Sequence, residues 1–569
     1  MRPPVSDPAP PRRGEALWFW GVTLAALLLY RFSPVTEWGD SLHYAAAIER
    51  GPVARLFEPG HLLWRPLGWL LWQLAQALRP GVRALEPLQL LTVALSAAGA
   101  GLAAVFFRRR LGGAGAAAAT ALFATGYACW SYANSACAYV PSSALALGAM
   151  LLAWPEAGRS PGAGRLAAAA SLLALGVLLW LPQLLTLPGL MLAAALGEPG
   201  GAPARRWRPD RAVFAGMVGG GLVVAVLLAT WWLFRRSAAG GATGWLASSG
   251  HGHHTGFSPI NVARAGYGWT RLLWQPWRVA ADPGASGWRR FLTARTLLDW
   301  GMWKPAGAYL LAAVAALAGL RRPPRFAGRE ALVLAGWILP HLAFAVIWKG
   351  SDPERWLPIS AALLCAALGW VLGRSPSPSR LAWTAVAAAL VVGVGAADRF
   401  GPRGNVENRL PMRLIRASAG HVRDGDLVLL GGEMDEVQMN RTLEGLWLPA
   451  WIYFTGARGV DLWTCPPDEV AGHLRRAAAT PGGRLFVSER ALAPVPDGAG
   501  ALPDAEATRA AAVGGLRVDA ARPAFLAAGE RFYAAGPAAP APPSAGPAPS
   551  LAAPATTPAG SGSAGRTER

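Results

Sequence analysis

Apolar runs of roughly twenty residues, broken by short arginine-bearing connectors, fill the first 400 residues. A helix needs about 20 apolar residues to cross a bilayer core, so the pattern predicts membrane spans rather than the buried helices of a soluble core. The first run covers 16–30. Others fall near 87–107, 113–130, 139–154, 166–181, 183–197, 212–234, 303–320, 330–348, 357–373 and 381–398, about eleven crossings in all. The run at 61–78 is different, because Arg65 and Pro66 interrupt its first turns and Gln73 and Gln76 its last. If it spans, the triplet Arg108-Arg109-Arg110 lies outside, against the positive-inside rule. If it lies in the interface, that triplet falls inside, together with Arg159/Arg165, Arg205/Arg206/Arg208/Arg211, Arg321/Arg322/Arg325 and Arg374/Arg380. One choice satisfies five connectors, so 61–78 is read as an interfacial helix.

The pattern changes after residue 400. Residues 426–430 and 484–488 read as buried strands and 469–478 as a helix, which predicts a small α/β domain over 401–536. Residues 537–569 are Pro/Ala/Ser/Gly low complexity and are expected to be disordered. The fold class is therefore an all-α polytopic membrane bundle over 1–400, with an outer loop at 34–86, followed by an extracytoplasmic α/β domain. Arg12 and Arg13 precede the first run, and no small-residue cleavage site follows it. That makes the run a retained helix with its arginines cytoplasmic, so the loop after it and the C-terminal domain face outward.

Charge adds less than its size suggests. The formal net charge is +20, but the basic residues sit between apolar runs, where they report topology; no nucleic-acid partner is implied. The four cysteines have no paired spacing, so neither a zinc motif nor a disulfide framework is expected. His251, His253 and His254 are flanked by glycine and lack a fourth ligand at suitable spacing, so no metal and no cofactor are expected. A transporter would need mid-membrane charges and two matching halves. Here the charges lie at the rim and no repeat is found.

The candidate chemistry lies in the loop 36–66, which places Glu37, Asp40, Glu49, Glu58, His43 and His61 beside the bilayer. Carboxylates there are costly unless solvated, paired or used. Asp40 precedes Ser41 and a helix-favouring stretch, so it reads either as an N-cap or as a base. A second charged turn, 349–358, holds Lys349, Glu354 and Arg355 at the outer end of two predicted helices. Its plainer reading is a solvated turn with Lys349 and Arg355 snorkelling.

The stretch Gly39-Asp40-Ser41-Leu42-His43-Tyr44, the small residues after it, and then Glu58-Pro59-Gly60-His61 leading into an aromatic helix resemble the first loop of the GT-C superfamily of membrane glycosyltransferases. The resemblance is to bacterial protein O-mannosyltransferase-like members. The stretch 130–139 is similar to their outer corner, with Cys137 where a glutamate often stands. The resemblance covers about residues 16–400 and implies transfer of a sugar from a polyprenyl-phosphate carrier to a glycan, lipid or protein acceptor. In that scheme Asp40 is the base and Glu37 the reserve. His43, Tyr44, His61, Lys349, Glu354 and Arg355 bind substrate, and Trp64, Trp69 and Trp72 flank lipid entry. Inversion and a place in the bacterial inner membrane are implied as well. The competing functions are a non-catalytic membrane assembly protein and a polysaccharide polymerase or ligase.

Overall fold

The computed structural model describes residues 13–36, 38, 40–154, 161–196, 207–236, 241–247, 256–274, 300–320, 325–326, 328–348, 350–374, 376–401, 404–432, 444–463, 465–495 and 504–537. Glu37, Lys349, the three histidines at 251, 253 and 254, and the tail beyond 537 lie outside the described residues.

The apolar runs become helices. Among the described residues seven are long and apolar enough to cross a membrane: Gly14–Phe32, Leu85–Leu111, Pro209–Arg235, Trp303–Leu320, Arg329–Ile347, Pro353–Leu372 and Pro378–Phe400. Gly113–Thr125, Tyr139–Ala153, Ala163–Leu179 and Leu181–Ala195 are apolar but shorter. Each expected span thus has its helix. In chain order the first ten are α1 (Arg13–Phe32), α2 (Ser41–Arg50), α3 (Trp64–Leu78), α4 (Leu85–Leu111), α5 (Gly113–Thr125), α6 (Tyr127–Ala133), α7 (Tyr139–Ala153), α8 (Ala163–Leu179), α9 (Leu187–Ala195) and α10 (Pro209–Thr230). The run read as interfacial is α3. It buries Trp64 and Gly68 and exposes Leu70, Leu74 and Leu78, one apolar edge turned away from the protein.

Helix α4 is the central post, packed against α1, α5 and α7. Small residues allow the approach: a Cβ at Gly101 would fall 2.2 Å from Thr23 Oγ1, and one at Gly99 2.8 Å from Ala144 Cβ. With no hydrophobic effect between helices in lipid, such close packing carries the association. At 1.5 Å per residue, α4 runs about 40 Å. Its two ends differ. At the C-terminal end Arg109 pairs with Glu15 at 2.9 Å, Arg110 pairs with Glu330 at 3.3 Å, and Arg325 donates to the Arg110 carbonyl. The arginines of separate connectors therefore gather at one end of the bundle. At the other end lie the first loop and the C-terminal sheet.

Among the described residues that sheet has six strands, in the order β2-β1-β3-β6-β4 with β5 paired to β6. β1 (Leu427–Leu430) runs parallel to β2 (Arg458–Asp461) and β3 (Leu485–Ser488), with Leu427 opposite both Arg458 and Leu485. β6 (Glu530–Pro537) is antiparallel to β3, to β4 (Leu516–Val518) and to β5 (Phe525–Ala527). β1 is buried along its length, as expected of a strand covered on both faces. The helices Glu444–Thr455 and Pro467–Ala478 carry the two crossovers. The first of them also packs on α2.

Candidate functional site

Asp40 stands at the N-cap position of α2, yet its side chain makes no capping hydrogen bond. Its carboxylate Oδ2 instead accepts the Tyr139 hydroxyl, and the Tyr44 hydroxyl at 3.3 Å. Between the two readings of the sequence, the carboxylate is therefore not occupied as a cap. The backbone before it is fixed from two sides, since the Trp38 carbonyl accepts the Ser41 hydroxyl and, at 3.6 Å, the Cys137 thiol. Cys137, which stands where the resemblance expects a glutamate, is thus a buried strut beneath Asp40.

The surroundings of Asp40 are aromatic. Tyr139, the first residue of α7, packs against Trp180 at 4.9 Å and Tyr132 at 5.0 Å. The His61 ring lies 5.0 Å from Tyr44 and 5.8 Å from Tyr139 and bonds the Leu179 carbonyl through Nδ1 at 3.2 Å. Burial by itself raises the Asp40 carboxyl, but the hydrogen bond from the Tyr139 hydroxyl, with the charge that His61 and His43 take on in acid, outweighs it and holds Asp40 below the ordinary carboxylate value. Burial pushes the His61 imidazole down and the Tyr44 phenol well up, so the first is neutral and the second a donor at neutral pH. The result is an ionised, half-buried carboxylate oriented by two phenols.

Glu354 and Arg355 come to the same place from a one-turn 3₁₀ segment, Pro353–Trp356. They pair at 3.0 Å with each side chain only 15% exposed, so the solvated, snorkelling turn is corrected for Arg355: it is a largely buried ion pair. Both act electrostatically on Asp40 and Tyr139. The structure thus brings Asp40, Tyr44, His61, Glu354 and Arg355 together, and His43 stands exposed one turn from Asp40 on α2.

Behind Tyr44 a cavity of about 470 Å³ opens, lined by Ala46, Ala47, Gly51, Phe57, Glu58, Pro59 and four arginines: Arg50, Arg55, Arg65 and Arg235. Arg65 pairs with Glu58, stacks 5.2 Å over the Tyr44 ring and donates to the Arg55 carbonyl at 3.2 Å. Arg235 reaches the Ala54 carbonyl at 3.4 Å, and Phe57 stacks on Phe234 at 4.2 Å. The Nε atoms of Arg65 and Arg235 are buried without a hydrogen-bond partner. Four guanidinium groups against one carboxylate repel one another unless an anion joins them. Such a cavity suits phosphate, which arginine binds bidentately.

Sequence reasoning missed Tyr139 and the arginines of this cavity. Arg50, Arg55 and Arg65 were visible as a basic set within one loop. Arg235 and Tyr139 carry no local signal, because they arrive from distant helices. Among the described residues, no three His, Cys, Asp or Glu side chains converge as metal ligands would.

No protein-family model matches the chain, and no curated protein matches it. Solved structures do match over most of its length. The crystal structure of ArnT from Cupriavidus metallidurans bound to undecaprenyl phosphate matches with a TM-score of 0.50 at 14% sequence identity, covering 92% of this chain and 98% of that one. The archaeal oligosaccharyltransferase AglB from Archaeoglobus fulgidus, in complex with an inhibitory peptide and a dolichol-phosphate, matches with a TM-score of 0.42 at 12% identity, over 83% and 69% of the two chains. The likeness is one of fold, and the architecture is GT-C-like.

Proposed function

We propose that this chain is an integral membrane glycosyltransferase that moves a sugar from a polyprenyl-phosphate carrier to an acceptor on the outer face of the membrane. The observation that carries the reading is the pairing of an ionised, half-buried Asp40, free of any capping role, with an arginine-lined cavity one tyrosine ring away. ArnT, which shares the fold, binds undecaprenyl phosphate, and this supports a lipid phosphate as the anion.

In the proposed reaction the acceptor hydroxyl attacks the anomeric carbon as the bond from that carbon to the phosphate oxygen breaks. The hydroxyl proton passes to Asp40 and the bonding pair leaves with the phosphate. General-base help of this kind contributes about 10²–10⁴-fold. The leaving phosphate goes from one negative charge towards two, and fixed cations stabilise that growth most in a site poor in water. Arg50, Arg55, Arg65 and Arg235 face it from the cavity, Arg355 adds positive charge near Asp40, and Lys349 is proposed as a further phosphate contact. Attack opposite the phosphate inverts the anomeric centre. Glu37 is the reserve base, His43 and His61 border the sugar, and Trp64, Trp69 and Trp72 of α3 flank the path of the lipid. The cell compartment under this reading is the bacterial inner membrane, with the C-terminal domain extracytoplasmic.

Incubating the full-length protein in liposomes with labelled polyprenyl-phosphate sugars and membrane-extract acceptors tests the proposal. Label moves to acceptor with wild type, and the Arg55→Ala/Arg235→Ala double variant needs at least about tenfold more donor, since each charge-assisted contact is worth about 1.5–3 kcal/mol. No transfer from any polyprenyl-phosphate sugar, or unchanged donor use by the double variant, sinks it.

A further inference from the structure

The carboxylate of Glu49, one residue from the end of α2, collects donors from two other parts of the molecule. Arg83 Nε reaches its two oxygens at 2.9 and 3.0 Å, the Ala84 amide donates at 2.8 Å, and the Tyr453 hydroxyl donates at 2.9 Å. Arg83 also donates through Nη2 to the Tyr453 carbonyl at 2.8 Å and lies 4.1 Å over the Tyr453 ring. The Leu85 amide closes the set, donating to the Tyr453 hydroxyl at 3.3 Å. First-loop helix, start of α4 and C-terminal helix Glu444–Thr455 thus meet at one polar point.

Helix α2 is the piece that carries the chemistry. Asp40 stands at its start, and Ala46, Ala47 and Arg50 line the arginine cavity, with Arg50 also within 3.5 Å of the Ile452 carbonyl. Ten residues make a rod about 15 Å long, so fixing one end fixes the other. A largely buried carboxylate is a poor way to add stability at such a junction, because an apolar substitute is often as stable. Oriented hydrogen bonds do something apolar contact does not: they set register. The rest of the junction already provides contact, including the Val406 amide on the Val35 carbonyl at 2.8 Å.

We propose that Glu49, Arg83 and Tyr453 form a clamp through which the C-terminal α/β portion sets the position of α2, and with it the alignment of Asp40 against the arginine cavity. Glu49 and Tyr453 are positioning residues; neither touches substrate. The proposal rests on the reading of Asp40 as the base. It gives the C-terminal portion a role in the reaction besides any contact with acceptor.

The test uses full-length protein in lipid nanodiscs. Tyr453→Phe removes one hydroxyl and leaves the ring over Arg83, so the fold is retained. A misplacement of about 1 Å costs up to about 10²-fold in rate, and kcat is expected to fall at least about tenfold. Two further readouts separate positioning from general loosening. The acid limb of the pH–rate profile moves upward as the Tyr139–Asp40 hydrogen bond slackens, and amide exchange quickens at 41–50 while that of α7 and α8 stays as in wild type. Combining Glu49→Gln with Tyr453→Phe costs little more than the worse single change, because both break one unit. A wild-type acid limb together with unchanged exchange at 41–50 overturns the clamp, whatever happens to kcat. Should wild type transfer no sugar at all, the proposed function fails and the exchange measurement still decides the clamp on its own.

Discussion

Asp40 shows how one residue can satisfy a sequence rule and yet not use it. It occupies an N-cap position, but its Oδ2 accepts the hydroxyls of Tyr139 and Tyr44 instead. Asp40→Asn keeps an oxygen able to accept the Tyr139 hydroxyl and cannot take a proton. Transfer is therefore expected to fall by about 10²–10⁴-fold, with thermal stability within about 1 kcal/mol of wild type; a transfer assay beside a melting curve reads both. Asp40→Ala loses no capping bond, only the two phenol contacts. The pH dependence follows from the direction of the shift. Because the folded carboxyl lies below its ordinary value of about 3.9, a base at Asp40 stays ionised throughout the neutral range, and the acid limb of kcat/KM is expected below that ordinary value. The stability Asp40 contributes is complete above its unfolded value and is lost as pH falls through the folded one. An acid limb at pH 6 or above would assign it to another group.

At the scale of elements, α3 matters because it props α2 from beneath. Gly68 is the contact: a Cβ there would come 2.6 Å from Leu88 of α4 and 2.9 Å from Ile48 of α2. Overpacking of this kind costs about 1–3 kcal/mol. Gly68→Val is expected to lower the melting temperature and to reduce transfer more than stability, since the displaced Ile48 lies on the helix that bears Asp40. Retained wild-type activity in the folded fraction of Gly68→Val would show that α3 bears lipid contacts only. The helix was legible in sequence as an apolar run with a polar break in its first turns. Its use of Gly68 to seat against two other helices was not.

Across the whole molecule, a buried ion pair joins the late helices at the end where the site lies. Lys304, near the start of Trp300–Leu320, bonds Asp398, near the end of Pro378–Phe400; their side chains are 3% and 9% exposed. Next to it Arg399 donates to the Asn134 side chain at 2.8 Å and lies 5.1 Å from the Trp130 ring, tying the last helix to the corner after α6. Removing one partner leaves a buried charge uncompensated, at about 3–5 kcal/mol, whereas an apolar pair of similar volume is often neutral. Lys304→Met is therefore expected to lose most of its folded yield, and Lys304→Met/Asp398→Leu to recover it, as size-exclusion profiles in detergent will show. A double variant as unstable as the single would mean the charges hold the helices in place rather than merely balance each other.

Hydropathy alone determined the helices, because a bilayer core demands long uninterrupted apolar runs and tolerates few charges within them. It also marked the first loop, since carboxylates and histidines crowded beside such runs stand out, and short continuous apolar runs marked β1 and β3 after residue 400. Tertiary structure decided which of those polar residues meet. Tyr139 arrives 99 residues after Asp40, Arg235 arrives 181 residues after Ala54, and Tyr453 arrives 404 residues after Glu49. Such pairings leave no periodicity in the chain, because they depend on how helices cross and not on spacing along any one of them. The same physics hid the cavity: an arginine reads alike in a solvated loop and in a cavity wall until the fold shows that four of them face one space.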